Sequence, residues 1–143
     1  MMVLKNDLLR AVESVLLPRV RHLGLGVAEH QEGSSFDNAT VTLASGDVRV
    51  RVVRERSIVH MEIASVHSPH AWVDSAVLME HLGFSKDAGF HGSSVEGVLE
   101  GIGSFLKSSW ADLERLFDQG SFRETNRALG VLKEERSARR WGS

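Results

Sequence analysis

The chain reads as an α+β protein: an antiparallel β-meander of three to four strands, one face covered by an N-terminal helix and two to three C-terminal helices. Three observations carry this reading. From Ala39 to Val66 apolar and polar residues alternate, with turn-like interruptions at Ser45-Gly46 and Glu55-Arg56, the period of half-buried strands. Before that stretch Leu4, Leu8, Val12, Val15 and Leu16 recur at helical spacing. After it, Val98, Leu99, Ile102, Phe105, Leu106, Leu113, Leu116 and Phe117 do the same over a longer span, as one apolar stripe of a helix requires. With 143 residues, 42% of them hydrophobic, and only 2 prolines, the chain suffices for one packed domain, taken here as residues 1–143.

In chain order, the first helix has Asp7 near its start and Gly24 beyond its end. Pro18 lies inside the pattern and has no N–H to give the carbonyl four residues back, so the helix should kink or restart there. Gly26 to Glu32 reads as a further strand, and Gly33-Ser34-Ser35 as either a hairpin turn or a longer loop.

The alternation in the meander yields a register. A turn at Ser45-Gly46 sets Leu43 opposite Val48, Val41 opposite Val50 and Ala39 opposite Val52. A second turn at Glu55-Arg56 sets Val48 opposite Ile63, Val50 opposite Met61 and Val52 opposite Val59. One face is then apolar throughout, and a one-residue slip would destroy the match. The other face carries Thr40, Thr42, Arg49, Arg51, His60 and Glu62, with Val53 and Ile58 as an apolar pair at one end. It is expected to be open to solvent, so that a charge placed at Thr42 should be tolerated.

Beyond the meander, Val73, Val77 and Met79 to Leu82 suggest a short helix stopped by Gly83, its N-cap either Ser68, with Pro69 following, or Asp74. Phe84 to Gly92 reads as a loop. Ser93-Ser94-Val95-Glu96 has the form of a capping box before the longest helix, and Ser121-Phe122-Arg123-Glu124 repeats the signal before the last. Gly97, Gly101, Ser104 and Ser108 form a stripe of small residues that lets a neighbouring element approach closely. Lying inside a helical pattern, these glycines match neither a phosphate loop nor a dinucleotide fingerprint.

Charge and composition narrow the function. Residues 1–120 hold 11 basic and 16 acidic residues, whereas residues 121–143 hold 6 and 3. Only the tail is basic, a weak footprint for a nucleic-acid binder, and Arg136, Arg139 and Arg140 complement the dipole at a helix end. There is no cysteine, hence no disulfide framework, thiolate nucleophile or cysteine-ligated zinc. Charged residues interrupt the N-terminal apolar residues, and no apolar run is long enough to span a bilayer, so a cytoplasmic location is the expectation. His60, His67 and His70 fall within eleven residues but in no ligand spacing, so neither metal nor other cofactor is expected. The only compact acid–base group is Glu62, opposite Arg49 in the derived register and near His60, and a structural cross-strand pair accounts for it without catalysis.

The succession of VRVRVVRERS, IVHMEIAS, the segment His70-Ala71-Trp72-Val73-Asp74, the stop at Leu82-Gly83 and two later helices resembles a broad group of small, mostly uncharacterised bacterial proteins, some similar to the immunity proteins that neutralise toxins. The resemblance covers about residues 36–83 and carries no catalytic residue. It implies a non-enzymatic protein that inhibits a protein partner, such as a toxin, by stoichiometric association. The residues expected to meet the partner are Arg49, Arg51, Val53, Ile58, His60 and Glu62. The alternatives are a small enzyme or ligand-binding domain on the same polar face, and an RNA-associated protein using the basic C-terminal helix.

Overall fold

The computed structural model of the chain describes residues 7–32, 38–84, 90 and 94–140. Helix α1 (residues 7–23) is built in pieces: an α-helical turn at Asp7–Ala11, a π-helical turn at Val12–Leu16, α-helix again at Leu17–Val20 and a 3-10 turn at Arg21–Leu23. Pro18 explains the sequence of geometries. Lacking an N–H, it cannot close the ordinary bond to Ser14; the chain widens just before it, Leu17 N–H reaching Val12 O five residues back. The α geometry then restarts with Pro18 in its first turn, where a missing donor costs nothing. Gly24 ends the helix at φ 84°. A Cβ there would stand 2.7 Å from Ser45 Oγ, and that hydroxyl donates to Leu23 O at 2.9 Å, so glycine lets the helix end lie against the sheet.

Among the described residues the sheet has five strands in sequence order, every neighbouring pair antiparallel: β1 (Gly26–Glu32), β2 (Ala39–Ser45), β3 (Val48–Glu55), β4 (Ile58–Ser65) and β5 (Val73–Asp74). The Gly26 to Glu32 strand is present, and Val73, expected in a helix, belongs instead to a short fifth strand. The link at Gly33-Ser34-Ser35 lies outside the described residues.

The register differs from the expectation by two residues in both hairpins. Leu43 faces Val50 and Val41 faces Val52; Val50 faces Ile63, Val52 faces Met61, and Arg51, not Arg49, faces Glu62. The turns decide this. Gly46 takes the first loop position with positive φ, and the second loop is Arg56-Ser57, both in the left-handed region at φ 50° and 69°, as a two-residue loop matching the strand twist demands. Arg56 N–H donates to Asn38 Oδ1 at 3.1 Å, which helps hold that uncommon conformation. Because side chains alternate with period two, a two-residue displacement exchanges partners without exchanging faces.

The apolar face is therefore as expected: Val41, Leu43, Val48, Val50, Val52, Val59, Met61 and Ile63 are all buried. Against it pack α1, through Leu8, Val12, Leu16 and Val20, and helix α3 (Val95–Phe117). The two helices meet at Gly103, where an added Cβ would come within 3.0 Å of the Arg19 side chain, and Arg19 pairs with Glu100 at 3.0 Å. This close approach is made by Gly103, outside the stripe of Gly97, Gly101, Ser104 and Ser108. Those four line a groove of about 360 Å³ with Met79, Phe84, Phe90 and Phe105.

Helix α2 (Ser75–His81) is capped by Asp74, whose Oδ1 accepts from Ala76 N–H at 2.8 Å. Helix α3 is capped by Ser94, whose Oγ accepts from Gly97 N–H at 3.0 Å, one residue later than a Ser93–Glu96 box would place it. Helix α4 (Phe122–Arg140) follows a turn in which Asp118 Oδ1 accepts from Ser121 N–H at 2.8 Å. It packs on α2 and α3. Ser65 ties the layers together: its buried hydroxyl donates to Phe117 O at 2.7 Å and accepts from His67 N–H at 3.1 Å. Among the described residues no helix is long and apolar enough to cross a membrane.

Candidate functional site

The register assembles one polar row across the whole sheet, Glu29, Thr42, Arg51, Glu62 and Asp74, one residue from each strand. Alternation puts the row on the face opposite α1 and α3. Within it, Arg51 donates from Nε and Nη2 to Glu62 Oε1 at 2.8 and 2.5 Å. Arg49, two residues along β3 and on the same face, donates from Nη1 to Pro69 O at 3.1 Å and from Nη2 to Glu29 Oε1 at 3.4 Å. The expected Arg49–Glu62 pair is thus an Arg51–Glu62 pair, a consequence of the two-residue register difference.

Trp72 completes this arrangement. The chain leaves β4 through the turn at residues 66–70 and returns as β5 beside Glu62 and Ile63. Trp72, immediately before β5, lies over both arginines, its ring centre 4.2 Å from Arg51 Cζ and 5.1 Å from Arg49 Cζ. A guanidinium on an indole face contributes about 0.5–1 kcal/mol when exposed and ~2 when desolvated. Stacking and ion pairing together hold both cations on rigid strands while their side chains stay partly accessible. The sequence showed Trp72 only as part of a helix start; the signal that could have found it is a tryptophan beside a short strand pairing with Glu62.

The remaining expected contact residues divide. Ile58 is 68% exposed, whereas Val53 is 5% exposed and presents no surface. His60 is partly exposed, with Nε2 3.8 Å from Glu55 Oε1 and Nδ1 buried without a hydrogen-bond partner among the described residues. Thr42 is 2% exposed, so the face is not open along its length. Arg49, Arg51, Glu62 and Trp72 form one cluster; His60 and Ile58 lie on the same face of β4, where His60 pairs with Val53 and Ile58 with Glu55. His67 turns elsewhere, its Nε2 2.7 Å from Asp47 Oδ1 and its ring against Phe122. Among the described residues no group of three or more His, Asp or Glu side chains is placed to hold a metal ion.

Near the basic end of α4, Arg136 and Arg139 both pair with Glu80. Arg136 Nη1 is 2.6 Å from Glu80 Oε1, and Arg139 Nη2 is 3.1 Å from both Glu80 oxygens. Hydrogen bonding from Arg139, then from Arg136, holds the Glu80 carboxyl below its ordinary range against an opposing desolvation effect. A depressed folded pKa contributes stability that is fully present above the unfolded value, near 4.5, and lost as pH falls through the folded value. Glu80→Gln should therefore lower Tm at neutral pH, and the gap to the parent protein should narrow as both are taken to pH ~3, read by thermal melts across pH. A gap independent of pH would assign Glu80 a packing role instead.

Two grooves lie on the helical side. One is the small-residue groove already described; the other, of about 420 Å³, is lined by His81, Leu82, Asp112, Arg115, Leu116, Ser121, Glu124, Thr125 and Ala128. Neither includes Arg49, Arg51, His60 or Glu62. No protein-family model, curated protein or solved structure matches the chain, so any function for this face rests on its own chemistry.

Proposed function

We propose that the protein is a non-enzymatic binding domain that inhibits a protein partner by stoichiometric association, in the manner of an immunity or antitoxin-like protein, and that the face bearing Trp72 docks the partner. The observation that carries this reading is the pair of guanidiniums held against Trp72, flanked on the same face by Ile58 and His60. Trp and Arg are the residue types most enriched among the energetically dominant positions of interfaces. Held in place before binding, they lose little further conformational freedom on docking. Arg49 and Arg51 stay partly accessible beside Glu29 and Glu62, so their remaining N–H groups can turn toward acceptors of a partner.

The test is calorimetric titration of a partner captured from the source cells against Arg51→Ala, Trp72→Ala and Ile58→Ala, with Arg139→Ala as control. Arg51→Ala and Trp72→Ala should each weaken binding by about 1–3 kcal/mol. Loss of the Arg51–Glu62 pair should cost the fold only about 0.2–1 kcal/mol, a small shift in Tm. Unchanged affinity for the sheet variants with loss at Arg139 would move the site to α4.

A further inference from the structure

Strand β1 is an outer strand of the sheet, and all seven of its residues are exposed. It pairs with β2 on one side; among the described residues no strand pairs with it on the other. An antiparallel ladder uses the N–H and C=O groups of a strand alternately on its two sides, so an outer strand keeps half of them as a template for another chain. Proteins blunt such edges with lysine, proline, bulges or very short strands. Here the devices are a bulge between Val27 and Glu29 and the charges of Glu29 and Glu32, and Glu29 to Glu32 still pair with β2 in unbroken register. The stretch contains no proline and no Lys or Arg.

The charges on this edge select the occupant. Glu29 pairs with Thr42 and Glu32 with Ala39, so the two carboxylates stand three residues apart on opposite faces of the strand. Glu29 lies 3.4 Å from Arg49, at the long end of hydrogen bonding, and its side chain remains 59% exposed. A second copy of the chain fits less well: aligning all seven residues of two antiparallel copies about Glu29 sets that carboxylate directly against its own copy, while each Glu32 falls opposite Gly26 and gains no base. Like charges placed directly opposite oppose pairing. We propose that the outer edge of β1 is a strand-addition site for an extended basic segment of a partner protein, with Lys or Arg three positions apart facing Glu29 and Glu32. Main-chain hydrogen bonds would supply the attachment and the two charges the register. The edge adjoins the Trp72 face through the Arg49–Glu29 pair, but its main-chain ladder and Glu32 do not belong to that face, and a peptide titration reads the edge alone.

The probe is the peptide Ac-VTKVTKTV-NH2, titrated into the isotope-labelled protein and followed by amide NMR shifts and calorimetry. Binding should perturb the amides of residues 26–32 and be at least tenfold tighter than that of the analogue with glutamate in place of both lysines. Methylating alternate backbone nitrogens of the peptide should weaken it at least tenfold, because the ladder is lost. Glu32→Lys should weaken the lysine peptide, and the Glu29→Lys/Glu32→Lys variant should reverse the preference, with melts showing that both fold. The proposal is overturned if the lysine peptide does not bind, if the methylated or glutamate peptide binds equally well, or if the shifts fall outside β1. Concentration-dependent shifts in residues 26–32 of the protein alone would assign the edge to a second copy and overturn it as well.

Discussion

Val50→Asp and Met61→Asp are expected to destabilise the protein by on the order of 3–5 kcal/mol each, the cost of a buried charge without a counter-charge. Both side chains are fully buried on the apolar face of the sheet. A carboxyl there must stay neutral with its hydrogen-bonding groups unmet, or ionise away from water, and both are costly. Since a domain of this size is stable by only about 5–15 kcal/mol, either variant should lose much of its cooperative thermal transition. The matching control is Ile58→Asp, at a position 68% exposed, which should shift Tm little. Thr42 does not serve as that control: it belongs to the polar face, but its 2% exposure removes the solvent that the sequence pattern implied. If Ile58→Asp proved more damaging than Val50→Asp, the assignment of faces would be wrong.

Phe117→Ala should cost about 3–5 kcal/mol, the range for deleting a buried aromatic ring. Phe117 is among the largest fully buried side chains. It also sits where α3 ends, at the carbonyl that receives the Ser65 hydroxyl, so neighbours cannot easily collapse into the space it leaves. Ser65→Ala removes that hydroxyl while leaving the ring, and strands both Phe117 O and His67 N–H; about 1–3 kcal/mol is expected. Chemical denaturation of the two variants should show a lower midpoint with an unchanged slope. A Phe117→Ala loss below that of Ser65→Ala would mean that the hydroxyl, rather than the ring, joins α3 to the sheet.

How much of this was legible in the residues differs from element to element. The Gly26 to Glu32 strand, the two hairpins, the cap near Ser93-Ser94 and the stop at Gly24 were readable, and Asp74 was one of two candidate caps, because each depends on local backbone preference or on a repeat of period 2 or 3.6. The buried face of the meander was readable for the same reason: any register error of two residues leaves Val50, Val52, Met61 and Ile63 on one side.

The same insensitivity hid the partners. Whether Glu62 meets Arg49 or Arg51 depends on which two residues form each loop, and the positive φ of Arg56 and Ser57 has no clear signature in residues that usually avoid it. The position of Trp72 over two arginines, the burial of Val53 and Thr42, and the closure of Arg136 and Arg139 onto Glu80 join residues distant in the chain. The sequence by itself determined the α+β class and the inward face, which follow from short-range sterics and periodic burial, while the short strand β5 was missed. Only the tertiary structure decided which charges are paired and which tryptophan caps them, because those contacts arise where separate elements meet.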